Sequence, residues 1–147
     1  MSASCKPSLR ERRALAAYVK LLRASETVHG EAVRPLAGHD LTPSQFAVLE
    51  ALYHLGPLCL GDLARKILKT SGNLTMVVDN LEKRGLAIRE KSSADRRFVT
   101  VQITEAGQSL IARVFPGHAA KITELMSRLT AREQATLAEL CRKLGKG

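Results

Sequence analysis

The chain has 147 residues, enough for one domain with a substantial core, and a formal net charge of +9, which favours a polyanionic partner. It has no apolar run near the roughly 20 residues that span a bilayer, and no apolar segment of a secretory signal follows Met1. We therefore expect a cytoplasmic protein without a membrane partner.

Cysteine and histidine spacing gives no sign of a disulfide framework or a metal site. Cys5, Cys59 and Cys141 are far apart and odd in number, and the four histidines show no paired ligand spacing. Catalytic patterns such as a nucleophile–base pair, a carboxylate pair or a phosphate-cradling glycine loop do not stand out either. No cofactor is predicted, and an enzyme is the least expected class.

The first half of the chain predicts helices. Residues 8–36 have apolar positions at helical spacing and predict one long helix that ends near Pro35. Thr42, Pro43 and Gln45 are suited to the N-cap, first and third positions of a second helix, which runs to about Leu55.

Two shorter amphipathic helices follow. One face of the first carries Leu60, Leu63, Ala64 and Ile67, and one face of the second carries Leu74, Val77, Val78 and Leu81. Thr70 or Ser71 is suited to cap the second helix, and Gly85 fits the position after its end.

From Leu86 the apolar period changes to two. Leu86 and Ile88, then Val99, Val101 and Ile103, predict two antiparallel strands joined by a charged loop over 89–97. Thr104 is the expected cap of a further helix, which Pro116-Gly117 kinks or interrupts. A capping box at Thr130-Ala131-Arg132-Glu133 opens the last helix.

This order predicts a mainly α fold with a small β-hairpin, over 1–147 as a single chain. We expect residues 41–103 to form a winged helix-turn-helix DNA-binding lobe. The helices over 8–36 and 104–147 have more apolar surface than one small domain covers, so we expect them to pair in a homodimer.

The second short helix has the chemistry of a recognition helix for double-stranded DNA. Asn73 can pair with adenine through two hydrogen bonds, and Thr75 or Met76 can contact a thymine methyl group. Lys83 and Arg84 close the helix where they can reach a flanking phosphate. The predicted DNA-binding set on this helix is Ser71, Gly72, Asn73, Thr75, Met76, Asn80, Lys83 and Arg84; an ordinary solvated helix face is the alternative.

The predicted hairpin tip adds Asp95, Arg96 and Arg97. In an extended hairpin, side chains two apart share a face, so Asp95 can brace Arg97 for entry into a narrow minor groove. Arg96 would point the other way, towards a phosphate or solvent. A plain turn with a surface ion pair is the alternative.

Several segments together resemble the MarR family of bacterial transcription regulators. They are Leu41-Thr42-Pro43-Ser44-Gln45-Phe46, Gly56-Pro57-Leu58, Leu63-Ala64, Val78-Asp79-Asn80-Leu81-Glu82-Lys83-Arg84-Gly85-Leu86, Asp95-Arg96-Arg97 and Ile103-Thr104-Glu105-Ala106-Gly107. The resemblance covers about residues 9–145. It implies an obligate dimer held by the terminal helices, a palindromic operator, and repression relieved by a small phenolic or lipophilic ligand or by cysteine oxidation.

Within that family, the segment from Ser71 to Thr75 and the pair Phe115 and His118 look closest to members that sense quinones or aromatic compounds. Family ligands tend to bind between the DNA-binding lobe and the dimer helices. The candidates for lining such a site are Tyr18, His29, His39, Tyr53, His54 and His118. Each alone is more often a packing or surface residue.

Two alternatives remain open from the residues. A thiol-based redox regulator would act through Cys5 or Cys59. In the peroxide-sensing branch of the family the reactive cysteine lies within the first helix, whereas Cys5 precedes that helix. Cys59 is expected to be partly buried and inert, and Cys141 to lie in the dimer core. A non-specific architectural DNA-binding protein is the other alternative.

Overall fold

The computed structural model describes residues 6–67, 71–91, 94–95 and 97–145, with residues 71 and 72 described by their backbone alone. The elements in chain order are α1 (Leu9–Val33), a 3-10 helix (Arg34–His39), α2 (Pro43–Leu55), β1 (Leu58–Cys59), α3 (Leu60–Ile67), α4 (Ser71–Lys83), β2 (Ala87–Lys91), β3 (Val99–Ile103), α5 (Glu105–Met126) and α6 (Ala131–Gly145). The predicted class, mainly α with a small β-structure, is confirmed.

The chain divides into two compact units. The winged-helix unit is Pro35–Lys121, and the terminal unit combines the described residues up to Arg34 with those from Ile122 onward. The division lies inside α5 rather than at residue 104, the predicted boundary of the dimerisation helices.

The core of the winged-helix unit follows the apolar periodicity of its helices. In this unit α4 packs against α2, α3 and β2. The large side chains that are almost completely buried include Leu49 and Leu52 of α2, Leu63 of α3, and Leu74, Val78 and Leu81 of α4.

The predicted helix ends are confirmed by their hydrogen bonds. The Gln45 backbone N–H donates to Thr42 Oγ1 and the Thr42 backbone N–H donates to Gln45 Oε1, both at 3.1 Å. Thr130 and Glu133 form the same reciprocal pair at the start of α6. Gly85 has φ +70° just after α4, where a left-handed residue lets the chain turn back on the last helical carbonyls.

The sheet differs from the prediction in three ways. It has the order β1-β3-β2, all antiparallel, and β1 is a third strand, too short for any periodicity to reveal. β2 extends to Lys91, so the predicted loop over 89–97 begins too early. Leu86 precedes the strand, and Ile88 is exposed while Ala87 is buried, so the apolar residues that suggested β2 do not mark its inner face.

Pro116 does not interrupt α5, which is continuous from Glu105 to Met126. Ser127 to Thr130 separate α5 from α6 instead. The sequence predicts a kink or a break at this position, and a break at Pro116 is wrong.

The start of α5 is joined to the turn after α4. Thr104 Oγ1 accepts a hydrogen bond from the Gly107 backbone N–H at 3.1 Å and donates to the Gly85 carbonyl at 2.6 Å. The Thr104 backbone N–H donates to the Leu86 carbonyl at 3.1 Å. A Cβ at Gly107 would overlap the Leu86 carbonyl and lie 2.7 Å from Ile103 Cγ1. The first turn of α5 therefore requires glycine at this position.

The terminal unit has an apolar groove between α1 and α6, with a volume of about 640 Å³. Its lining includes Tyr18 and Leu21 of α1 and Leu137, Leu140 and Leu144 of α6, all of them exposed. Across the described ranges, no helix combines the length and apolar character needed to cross a membrane.

Gly107→Ala is expected to lower the free energy of unfolding by about 1–3 kcal/mol, because the overlapping atom belongs to the backbone and cannot rotate away. Denaturant unfolding of purified protein measures it. Gly117→Ala is the matched control in the same helix, where an added Cβ meets no described atom within 4 Å. The control should be neutral or stabilised by up to about 1 kcal/mol through helix propensity. Equal effects at the two sites would contradict the close-approach argument.

Candidate nucleic-acid interface

Burial of one stripe of α4 leaves the opposite side of the helix exposed. Asn73, Met76 and Asn80 are on the exposed side, with Met76 66% exposed. This is the orientation that the sequence predicts. The Ser71 side chain, the surroundings of Gly72 and the alternative cap Thr70 lie outside the described residues.

One flank of this exposed side faces the start of α2. A concave surface of about 350 Å³ is lined by Asn73, Met76 and Asn80 of α4 and by Thr42, Ser44 and Gln45 at the beginning of α2. Hydroxyl and amide groups both donate and accept hydrogen bonds, which suits them to base edges and phosphates alike.

The other flank of α4 is bound to the sheet by an arginine that sequence analysis missed. Arg89 of β2 lies with Nη2 2.7 Å from Asp79 Oδ1 and Nη1 3.4 Å from Glu82 Oε1. Arg89 Nη2 also donates to the Thr75 carbonyl at 3.2 Å, and the Arg89 backbone N–H donates to Glu82 Oε1 at 2.7 Å. In the sequence, the three-residue spacing of Asp79 and Glu82 places two carboxylates on one helix face and so indicates a cationic partner. It does not indicate which Lys or Arg that partner is.

The C-terminal end of α4 is tied to the beginning of α2. Arg84 Nη1 donates to the Asp40 carbonyl at 2.6 Å and to Gln45 Oε1 at 3.3 Å. Arg84 therefore fixes the helix-turn-helix geometry, a role the sequence did not suggest. Lys83 is exposed at the same end. The phosphate contacts expected of Lys83 and Arg84 stay predictions.

The wing tip brings Asp95 and Arg97 together. Asp95 Oδ1 accepts hydrogen bonds from the Arg97 backbone N–H at 3.0 Å and from Arg97 Nε at 3.2 Å, and Asp95 Oδ2 lies 3.0 Å from Arg97 Nη2. The pairing agrees with the sequence prediction, but its expected cause is wrong. The backbone turns here, with the Phe98 N–H donating to the Asp95 carbonyl, rather than continuing as extended strand. Arg96 lies outside the described residues.

This bidentate contact changes both titrations. Hydrogen bonds from the Arg97 side chain and then its backbone lower the pKa of Asp95, and the Asp95 carboxylate raises the pKa of Arg97. Both groups are charged at neutral pH. The Arg97 side chain remains 89% exposed, so the pairing restricts its orientation while its charge stays available to a ligand.

The aromatic and histidine candidates separate into two groups. In the winged-helix unit, the His118 ring lies 4.5 Å from Phe46, and the His54 ring lies 4.8 Å from Phe115 and 5.1 Å from Tyr53. His118 Nδ1 is buried and has no hydrogen-bond partner among the described residues. Tyr18 and His29 belong to the terminal unit, where Tyr18 lines the apolar groove; His39 is exposed at the end of the 3-10 helix.

The two described cysteines differ in exposure. Cys59 is half-buried at the end of β1, as expected, and its thiol donates to Asp62 Oδ2 at 3.2 Å. That bond, followed by one from Arg65, lowers the pKa of Asp62. Cys141 is exposed in the single chain and lines the groove of the terminal unit, and Cys5 lies outside the described residues. Within the described residues, no group of His, Cys, Asp and Glu side chains could hold a metal ion.

Two helices followed by a β-hairpin, here α3, α4 and β2–β3, form the arrangement of the winged helix-turn-helix class of DNA-binding proteins. The model of the MarR family matches residues 41–99. The chain is 40% identical over 133 residues to the HTH-type transcriptional regulator MhqR of Bacillus subtilis, covering 90% of this chain and 92% of that protein. This chain belongs to the MarR family of transcriptional regulators.

Solved structures agree with this assignment. BpsR of Bordetella bronchiseptica, whose DNA binding is regulated by 6-hydroxynicotinic acid, has 27% identity and a TM-score of 0.79, over 88% of this chain and 98% of BpsR. Sco3205 of Streptomyces coelicolor, solved in complex with DNA, has 23% identity and a TM-score of 0.83, over 100% of this chain and 92% of Sco3205. The second likeness shows the fold alone.

Asp95 is expected to titrate below its ordinary pKa of 3.8, and Arg97→Met should return it towards that value. Because the pKa is lowered in the folded protein, the Asp95–Arg97 bond is complete above the ordinary value and is lost as the pH falls through the lowered one. NMR titration of the carboxyl carbons measures the change. Glu133, whose pKa is lowered by its hydrogen bonds with Thr130, is the internal control and should not move. An Asp95 pKa unaffected by the substitution would contradict the pairing.

Proposed function

We propose that this protein is a cytoplasmic, dimeric repressor that binds a palindromic operator and is released from it by a small aromatic ligand. The observation that carries the proposal is the exposed polar side of α4 beside the paired Asp95 and Arg97. A lysine-rich surface without such a reading helix would favour an architectural role instead.

The proposal divides the contacts by chemistry. Asn73, Thr75, Met76 and Asn80, with Ser71 and Gly72 before them, read base edges in the major groove. Arg97 enters the minor groove with Asp95 limiting the orientations that its guanidinium must lose on binding. Lys83, Arg84 and Arg96 contribute phosphate contacts that set affinity and position.

Asn73→Ala should weaken operator binding by about 1–3 kcal/mol and relax the preference at a single base position, because one bidentate base contact is lost. Arg97→Ala should weaken binding to every sequence and reduce the dependence on salt. Selection from random duplexes, followed by titration of the enriched site at several salt concentrations, measures both effects.

Arg142→Ala is the control for charge, since Arg142 lies on α6 in an exposed pair with Glu139. The Arg142→Ala substitution should change neither the base preference nor the affinity for the operator. The repressor proposal fails if the wild-type protein enriches no sequence in this selection.

The homodimer proposal rests on the apolar groove of the terminal unit. Its exposed lining, Leu21, Leu137, Leu140 and Leu144, is continuous across α1 and α6. Large exposed apolar surfaces on a protein mark interaction sites. A second copy of the chain is the occupant that also matches a two-fold symmetric operator.

Leu140→Glu should weaken dimerisation at least about tenfold, because it places a charge in a surface that must lose water on association. Sedimentation velocity across a dilution series measures the dimer. Leu9→Glu is the control, since Leu9 is 67% exposed but does not line the groove. A dimer that survives Leu140→Glu unchanged would place the interface elsewhere.

The ligand class follows from the family and from BpsR, whose regulator is a hydroxylated aromatic acid. Tyr18, His29, Tyr53, His54 and His118 are the candidates for its contacts. Titration of small phenols, quinones and hydroxylated aromatic acids against the protein–operator complex tests it. The ligand proposal fails if none of these compounds shifts operator affinity.

A further inference from the structure

We infer that Arg89 is the positioning residue of the DNA-reading surface: it fixes α4 on the wing and neutralises the two carboxylates that α4 would otherwise present to DNA. The inference rests on the proposed DNA-binding function and deepens it. In this inference, the negative charge of α4 is neutralised by a side chain of β2.

Arg89 occupies an inner position of the sheet. It pairs with Val101 in the β2–β3 register, and Val101 is completely buried. The Arg89 side chain is 25% exposed, much less than the paired arginines Arg97 at 89% and Arg65 at 77%. An inward arginine in a half-buried position needs partners for its charge.

Three positions along one side of α4 supply these partners. They are the Thr75 carbonyl, the Asp79 carboxylate and the Glu82 carboxylate, with the distances given above. Glu82 also accepts the Arg89 backbone N–H, so the helix is held by a side chain and by the edge of a strand. This combination fixes the distance of α4 from β2.

The charge of α4 shows why neutralisation matters. Between Ser71 and Lys83 the helix carries two carboxylates, Asp79 and Glu82, whereas its cations, Lys83 and the following Arg84, lie at its C-terminal end. Two carboxylates without a nearby cation would be repelled by the phosphates beside the major groove. Arg89 supplies the missing positive charge at the carboxylates themselves.

The geometry separates Arg89 from a phosphate-binding arginine. Nη1 is directed to Glu82, and Nη2 is shared between Asp79 and the Thr75 carbonyl. Its charge therefore acts through the carboxylates rather than by direct contact with DNA.

Arg89→Met tests the inference. We expect at least about tenfold weaker operator binding near 50 mM salt, and a smaller difference near 200 mM, because salt screens the repulsion by Asp79 and Glu82. Asp79→Asn with Glu82→Gln in the Arg89→Met background should restore most of the affinity. Arg89→Lys, which keeps the charge, should stay within about threefold of wild type. Thermal unfolding of each variant is measured alongside.

The triple variant distinguishes neutralisation from a purely structural tether. A tether is not restored by removing its own partners, so an affinity that stays low in the folded triple variant overturns the neutralising role, which is the part of the inference that goes beyond the observed contacts. An unchanged affinity in Arg89→Met overturns it as well. If Arg89→Met does not fold, Arg89→Lys decides: a folded protein with strongly reduced affinity would overturn the role of the charge.

The test also separates this inference from the proposed function. Wild-type protein that enriches no sequence removes the proposed function and this inference with it. Wild-type protein that selects an operator, together with Arg89 variants that bind it equally well, removes this inference alone.

Discussion

Burial of Leu74, Val78 and Leu81 sets the rotation of α4 about its axis, and the surface proposed to read DNA depends on that rotation. A helix turns about 100° per residue, so a shift of one residue in the buried stripe would carry Asn73, Met76 and Asn80 out of the exposed face. The hydrophobic core thus determines which polar side chains of α4 are exposed.

Polar contacts then hold the end and one flank of α4 against the neighbouring elements. Arg84 ties the C-terminal end of α4 to the Asp40 carbonyl, and Arg89 ties one flank to β2. Thr104 and Gly107 connect the turn after α4 to α5, with no room for a Cβ between that helix and the Leu86 carbonyl. Helix, sheet and the following helix consequently meet at one short segment of chain, Gly85 and Leu86.

The sequence predicted the parts whose causes are local. Helix caps at Thr42, Thr104 and Thr130 depend on residues three positions apart, and the apolar stripe of α4 depends on a single period. The pairing of Asp95 with Arg97 was also predicted, although the backbone achieves it by a turn. Contacts between distant segments were not predicted, because nothing in the local pattern gives Arg84 the Asp40 carbonyl or Arg89 the flank of α4. β1 was missed because its two residues form a strand only by pairing with β3.

The exposure of Met76 and Asn80 has a consequence for how the specificity of this protein can change. Side chains that contribute little to the core can be replaced at little cost in stability, typically within about 0.5 kcal/mol. The contacts that hold α4 in place are supplied by other residues, among them Val78 in the core and Arg84 and Arg89 at its end and flank. Under the proposed function, one or two substitutions at positions 76 and 80 would therefore change the operator while the fold remained intact.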